Sequence, residues 1–393
     1  MIIQPKIRGF ICMNAHPQGC KTNIDKQIEF VTSQRSLDGP KNVLVIGSST
    51  GYGLASRIMS AFGSGANTVG VFFERPGTNK RTASSGWYNT AAFEDRAIAA
   101  GLGTWSINGD AFSNEIKEQT IEIIKQKLGK IDLIVYSVAA PKRTDPDTGI
   151  TYSSTLKPIA HPYSNLTIDP ATESLKEITI EPASDEEIAG TVAVMGGSDW
   201  QKWLDCLQKA DVLSPECINI AYTYVGPSFT HAIYRSGTIG KAKEHLEETA
   251  NLLNKKFPFK SIISVNKALV TQASAAIPVI PLYIMLLFKL MKEKRTHETT
   301  IQQIHRLFSK RLYSPGEIPT DMEGRIRIDD YEMDPAIQET VKERFINITE
   351  KKVKEFCDID GYQKDFLNLF GFGIEEIDYD KDIDQIVRIP SII

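Results

Sequence analysis

The chain has little of what would assign it to a membrane, a polyanion or an oxidising compartment. Its 393 residues carry 45 basic and 49 acidic side chains, a net charge of −4 that gives no nucleic-acid-binding signature. Cysteine is sparse. Cys12, Cys20, Cys206, Cys217 and Cys357 form an odd, scattered set, which reads as free thiols in a reducing compartment. No internal repeat or low-complexity tract is present. The N-terminal MIIQPKIRGFIC is interrupted by Lys6 and Arg8 and lacks a cleavage-type ending, so it is not a signal peptide and a cytoplasmic location is expected. No apolar run is both long and clean. Residues 268–291 come nearest, but Thr271, Gln272, Ser274, Pro278 and Pro281 break up their first half, leaving too little to cross about 30 Å of hydrocarbon. A buried helix lining a greasy pocket is the expectation for this segment.

Metal-ligand patterns are also scarce. Cys12, His16 and Cys20 are four apart, but Pro17 and Gly19 are expected to break the helix that would align them, and no second ligand pair exists. No metal is expected.

What is present begins at Asn42. The run NVLVI is of buried-strand type and is followed at once by Gly47, Ser48, Ser49, Thr50, Gly51, Tyr52 and Gly53, then by the helix pattern LASRIMSAF. Strand, glycine loop and helix form the context of a dinucleotide fingerprint. Glycines let backbone approach a pyrophosphate, and the helix N-terminus offers free N–H groups and the positive end of a dipole. The G-x-x-x-G-x-G spacing suggests the short-chain reductase form of the loop. The next apolar run, 68–73, ends at Glu74, 21 residues after Gly53. A carboxylate there can accept hydrogen bonds from an adenosine ribose, favouring NADH, whereas Arg75 beside it could attract a 2′-phosphate. Further strands are expected at 104–108, before Asp110 and Ala111, and at 131–138, before Ala139 and Ala140. The same loop is literally G-x-S-x-G, a nucleophile elbow, with His231, His245, His297 and His305 available. That reading leaves Gly53, Glu74 and the pair described next without a role.

Tyr234 stands nine positions before Lys243, with Tyr224 ten positions before Tyr234. A phenol is a poor acid at neutral pH, and a neighbouring ammonium would bring its pKa down. The GTIG at 237–240 reads as a turn entering a helix, so Tyr234 is expected in a loop and Lys243 in the first helical turns, facing one pocket. The fold expected is α/β: a Rossmann-like, doubly wound parallel sheet, enlarged into one domain of 1–393. It comprises a dinucleotide-binding half at 41–143, an inserted excursion at 144–190 over the active-site mouth, a catalytic and acyl-pocket half at 191–300, and a C-terminal elaboration at 301–393. Ser198 is expected to cap the helix DWQKWLDCL; GRIRIDDYEM reads as a strand after a turn and 341–356 as a surface helix. Lys289, Lys292, Lys294 and Arg295 could meet carrier phosphates, or simply solvate a helix end.

Several blocks in order carry a family resemblance: PKIRGFIC with HPQGC, VIGSSTGYG, FFE at 72–74, the Tyr234/Lys243 block with GTIG, KALVTQASAAIPVIPLY, MKEKRTHE and GRIRIDD. Together they resemble the trans-2-enoyl-ACP/CoA reductases of the FabV type over nearly the whole chain, departing at Arg235, where an aromatic would be expected. The resemblance implies NADH-dependent reduction of an enoyl thioester carried on acyl carrier protein or coenzyme A. It makes Tyr234 the acid, Lys243 the holder of the nicotinamide ribose, and Tyr224 the contact to the thioester carbonyl. Its cofactor shell falls on Gly47, Ser48, Ser49, Thr50, Gly51, Tyr52, Glu74, Arg75, Asp110, Ala111, Ala139, Ala140, Leu269, Val270 and Thr271. A monomer is expected. The alternatives are a short-chain dehydrogenase acting on a carbonyl or alcohol, and a non-catalytic NAD-sensing protein; intact Tyr234 and Lys243 argue against the second.

Overall fold

Short runs of Val, Ile and Leu, bounded by glycine and polar residues, supply the strands, and near-continuous apolarity marks them as covered on both faces. A computed structural model describes residues 1–8, 11–277 and 279–392. Gly9 and Phe10 of the resemblance blocks, Pro278, and the side chain of Ala276 lie outside what is described. Seven strands form the main sheet: β1 Asn42–Ile46, β2 Asn67–Phe72, β3 Thr104–Asn108, β4 Ile131–Tyr136, β5 Leu213–Thr223, β6 Lys260–Val265 and β7 Arg325–Arg327. All neighbours pair in parallel, in the order 3-2-1-4-5-6-7. The order reverses between β1 and β4, so a crevice opens beyond their carboxyl ends, where open α/β sheets bind ligands.

Helices Gly51–Ile58, Ser85–Ala99, Asn114–Lys127, Ser198–Lys209 and Thr238–Lys256 flank the sheet. The excursion is built from two antiparallel hairpins, Lys142–Thr144 with Thr151–Ser153 and Tyr163–Ile168 with Leu175–Ile180. It is pinned at two points: Thr238 N–H, at the start of helix Thr238–Lys256, donates to the Lys157 carbonyl at 3.0 Å, and Tyr163 Oη donates to the carbonyl of Phe229, in the turn before Tyr234, at 3.0 Å.

Four expectations are corrected. Ser198 is the first helical residue, with Gly197 at the cap position; its hydroxyl instead accepts from Arg143 Nη1 at 2.6 Å. Pro17 and Gly19 do not prevent a helix, which runs Pro17–Ser33, because proline is tolerated at the first helical position. His16 caps that helix, Nδ1 accepting from Gly19 N–H. The expected 341–356 surface helix is Pro335–Ile346, begun six residues earlier by the Asp334 cap, with Ile337, Val341 and Phe345 buried. Residues 268–291 form two helices, Gln272–Ala276 and Ile280–Glu293. The second is packed all round, with Leu282, Tyr283, Ile284, Met285, Leu286 and Leu287 buried. Among the described residues no helix is long and apolar enough to cross a membrane.

A buried ion pair fixes the ligand end of β3. Lys117 Nζ donates to Asp199 Oδ1 at 2.9 Å and to the carbonyls of Ala111 and Phe112 at 3.0 and 2.9 Å. Tyr136 Oη donates to Asp199 Oδ2 at 3.0 Å. Removing one partner of such a pair strands the other charge away from water. Asp199→Ala is therefore expected to lower stability by about 3–5 kcal/mol, read from urea unfolding; a loss below about 1 kcal/mol would show that the lysine finds another partner.

Candidate active site

The glycine loop is shaped by backbone meeting backbone. A Cβ on Gly47, which has φ +88°, would lie 2.1 Å from the Ser137 carbonyl oxygen, and one on Gly53 would lie 2.0 Å from that of Gly47. Gly51, at φ +55°, faces open space. Thr50, capping helix Gly51–Ile58, makes no side-chain cap bond, so the first helical N–H groups stay available to a phosphate. Ser49 Oγ donates to Glu74 Oε1 at 2.7 Å, joining two residues singled out separately in the sequence. Asn108 clamps the Glu74 backbone, accepting from its N–H at 2.8 Å and donating to its carbonyl at 3.0 Å.

The rest of the expected shell divides. Ser48 is buried and donates to the Val71 carbonyl at 3.3 Å. The Tyr52 phenol is committed elsewhere, its single hydrogen shared between Gln303 Oε1 and the Lys267 carbonyl and its ring edge-on against Tyr222. Its side chain is therefore not free for the expected cofactor shell. Arg75 is exposed, and its N–H is held by Ser84 Oγ at 3.0 Å. Asp110 Oδ1 accepts from Phe112 N–H at 3.0 Å, and the Ala111 carbonyl is anchored by Lys117 and Trp203. Ala139 is exposed and Ala140 half-buried beyond β4. A cleft of about 510 Å³ brings Thr50 and Gly51 together with Leu269, Val270 and Thr271. Tyr224, Tyr234 and Lys243 do not line it.

Tyr234 closes a helical turn, His231–Tyr234, rather than lying in a loop. Its ring meets that of Tyr224 edge-to-face, with centroids 4.9 Å apart. The expected acidification by Lys243 is not found. Burial pushes the Tyr234 phenol up, and the nearby Glu332 carboxyl adds to the rise. Burial also pushes the Lys243 ammonium down, to about 8, against the pull of Glu247. At Lys243 desolvation outweighs the Coulomb attraction of Glu247, whereas at Tyr234 desolvation and the Glu332 charge act in the same direction. Arg235, the departure from the expected pattern, pairs with Glu247 at 3.4 Å, which also takes Arg325 at 2.9 Å. Lys241 is exposed and pairs with Glu244 at 2.7 Å. Lys292 is taken up by Asp358 at 2.6 Å.

The nucleophile-elbow reading fails on contacts. Ser49 is bonded to Glu74. His245 accepts from Gly197 N–H, His297 packs on Phe288, His305 on Phe30, and His231 lies 3.1 Å from the Gly226 carbonyl. Among the described residues no group of three or more His, Cys, Asp or Glu could hold a metal ion.

A family model described as the trans-2-enoyl-CoA reductase catalytic region matches residues 81–313, and one described as the NAD(P)H binding domain of that enzyme matches 2–79. The chain belongs to the trans-2-enoyl-CoA reductase family. The enoyl-[acyl-carrier-protein] reductase [NADH] of Flavobacterium johnsoniae is 54% identical, and the trans-2-enoyl-CoA reductase [NADH] of Ruminiclostridium cellulolyticum 53%, each over the full length of both chains. The crystal structure of Treponema denticola trans-2-enoyl-CoA reductase in complex with NAD is 52% identical with a TM-score of 0.96, covering 99% of this chain and 100% of that one. That from Clostridium acetobutulicum in complex with NADH is 43% identical, with the same TM-score and coverage.

A third family model, described as an enoyl reductase FAD binding domain, matches residues 320–383. The residues there do not fit a flavin dinucleotide. Both longer helices in that segment have carboxylates at their N-termini: Asp334 accepts from Ala336 and Ile337 N–H, and a Cβ on Gly361 would lie 2.2 Å from Asp358 Oδ2. A pyrophosphate would meet negative charge at each. The segment instead supplies β7 and Glu332. The glycine loop, with its uncapped helix start, does fit NADH.

Sequence reasoning missed Glu332, Tyr283, Lys267 and Phe73. Phe73 is 77% exposed beside Glu74, and an apolar face left in water at a strand end was the available signal. Nothing in the spacing of the other three points to the tyrosine pair.

Lys243→Ala is expected to weaken NADH binding and kcat/KM far more than Lys241→Ala, measured by fluorescence titration and steady-state rates; the reverse order would place the wrong lysine at the site. Glu74 should repel a 2′-phosphate, so NADH should bind at least about tenfold more tightly than NADPH. Glu74→Ser should narrow that gap, with the exposed Arg75 then free to meet the phosphate; equal binding by the unmodified protein would turn Glu74 away from the ribose.

Proposed function

We propose that this chain, acting as one enlarged Rossmann-like domain and as a monomer in the cytoplasm, reduces the 2,3 double bond of trans-2-enoyl thioesters with NADH, Tyr234 giving the proton. The observation that supports it best is the edge-to-face pair of Tyr224 and Tyr234, with a half-buried lysine in the following helix. Bound NADH supplies a hydride to Cβ, which leaves an enolate on the thioester and NAD⁺.

The chain's residues do the remainder. Tyr234 arrives protonated, since burial holds its phenol up, and passes its proton to Cα, so that one hydride and one proton complete the acyl product. Tyr224 meets the thioester carbonyl, where negative charge develops and a fixed donor contributes most. Lys243, still largely charged at neutral pH with a pKa of about 8, holds the nicotinamide ribose. Glu74 and Ser49 receive the adenosine ribose, with Phe73 offering the adenine an apolar face. Ala275, buried in the helix Gln272–Ala276, contributes to the acyl pocket. The relatives named above act on acyl carrier protein and coenzyme A thioesters respectively, and turnover of matched enoyl thioesters on the two carriers decides between them here.

NADH oxidation with crotonyl-CoA tests the reading. Tyr234→Phe should keep NADH affinity and lose at least about 100-fold in kcat, the scale of a positioned general acid. Turnover close to wild type would remove Tyr234 from the role.

A further inference from the structure

Glu332 lies between β7 and the helix Pro335–Ile346 and is fully buried. Three donors from three elements converge on its carboxyl. Tyr224 Oη, from the end of β5, donates to Oε1 at 2.9 Å; Tyr283 Oη, from helix Ile280–Glu293, donates to the same oxygen at 2.6 Å; and Ala268 N–H, just after β6, donates to Oε2 at 2.7 Å. Gln338 Nε2 ties this cluster to the next helix, donating to the Tyr283 oxygen at 3.2 Å and to the Glu332 carbonyl at 2.6 Å.

A tyrosine hydroxyl has one hydrogen. While Tyr224 donates to Glu332, it has no hydrogen for a substrate oxygen. We propose that Glu332 is a positioning residue of the reductase site, whose carboxyl decides whether the single Tyr224 hydroxyl hydrogen is held inside the protein or offered to the thioester oxygen. The inference rests on the roles given to Tyr224 and Tyr234 under the proposed function. With Glu332 ionised, the hydrogen is drawn inward. With Glu332 protonated, the carboxyl donates its own hydrogen to a tyrosine oxygen, and that of Tyr224 turns outward to the enolate.

The surroundings give the direction. Burial raises the Glu332 pKa, and Asp329 on its own segment adds to the rise; the Tyr283 and Ala268 hydrogen bonds and the buried Lys267 ammonium oppose it. Burial holds the Tyr224, Tyr234 and Tyr52 phenols up, and the Glu332 charge adds to the rise in each. Ionisation of Glu332 therefore both withdraws the Tyr224 hydrogen and makes Tyr234 a weaker acid. The productive arrangement is present below the Glu332 pKa and is lost as pH rises through it.

The experiment is the pH profile of kcat on crotonyl-CoA at saturating NADH, for the full-length protein and for Glu332→Gln, Tyr283→Phe, Tyr224→Phe and Tyr234→Phe, with thermal melts to confirm folding. Wild type should show two falls with rising pH. The upper one, near the Lys243 pKa of about 8, should persist in every Glu332 variant. The lower one should amount to at least about tenfold, the scale of a misdirected donor, and should vanish in Glu332→Gln while KM stays within about twofold. Tyr283→Phe removes a bond that lowers the Glu332 pKa, so it should move that fall to higher pH, and it carries the test if Glu332→Gln does not fold. In the Tyr224→Phe background, Glu332→Gln should have a much smaller effect, limited to what the lost Glu332 charge does to Tyr234. A lower fall unchanged in Glu332→Gln, or undiminished effects in the Tyr224→Phe background, overturns the proposal. Wild-type turnover by Tyr234→Phe brings down the underlying reading instead, so the two failures are told apart.

Discussion

The site depends on the absence of two side chains where the glycine loop passes the end of β4. The carbonyl oxygens of Ser137 and Gly47 occupy the positions that Cβ atoms on Gly47 and Gly53 would need. Contacts of about 2 Å cannot be relieved by a side chain swinging away, because the obstructing atoms are backbone. The loop is thereby held flat across the point where the strand order reverses, with helix Gly51–Ile58 aimed at the crevice. The bare helix start, the Ser49–Glu74 bond and the Asn108 clamp all take their positions from that crossing.

The second organising force is dehydration around Tyr234 and Lys243. From spacing alone, a lysine near a tyrosine promises a more acidic phenol. The surrounding apolar packing reverses that sign: the phenol is pushed up and the ammonium down. The result suits the role proposed for Tyr234, a donor that must keep its proton until an enolate forms. A charged lysine is retained at neutral pH by Glu247, which also gathers Arg235 and Arg325. The unusual arginine after Tyr234 thus serves the carboxylate that steadies Lys243.

The C-terminal part of the chain is neither a separate module nor a decoration. It closes the sheet with β7, brings Glu332 under the tyrosines, and packs Ile337, Val341 and Phe345 into the same cluster as helix Ile280–Glu293. Its last residues reach back to the cofactor half, where Ser391 donates to Glu94 and its hydroxyl accepts from the Ser106 N–H in β3. Glu94 in turn faces the fully buried Arg57 of the glycine-loop helix. The end of the chain therefore bears on the geometry of helix Gly51–Ile58.

The sequence by itself determined what short-range patterning can carry. Apolar runs bounded by turns marked β1 to β4 to within a few residues, because a strand covered on both faces must be continuously apolar; β7 is Arg-Ile-Arg, only three residues of the GRIRIDDYEM block. The glycine loop was legible because close backbone approach demands glycine, and Glu74 because it closes the second such run. Capping was less legible: Ser198 lost the cap to Gly197 when Arg143 took its hydroxyl, and Pro17 began a helix it was expected to break. Tertiary structure alone decided the ionisation of Tyr234 and Lys243, the diversion of the Tyr52 phenol to Gln303, and the meeting of Tyr224 with Glu332. Desolvation depends on everything that packs around a group, and Tyr224 and Glu332 are 108 residues apart in the chain. No local pattern encodes a contact of that separation; it exists only once β5, helix Ile280–Glu293 and the segment after β7 have closed on one another.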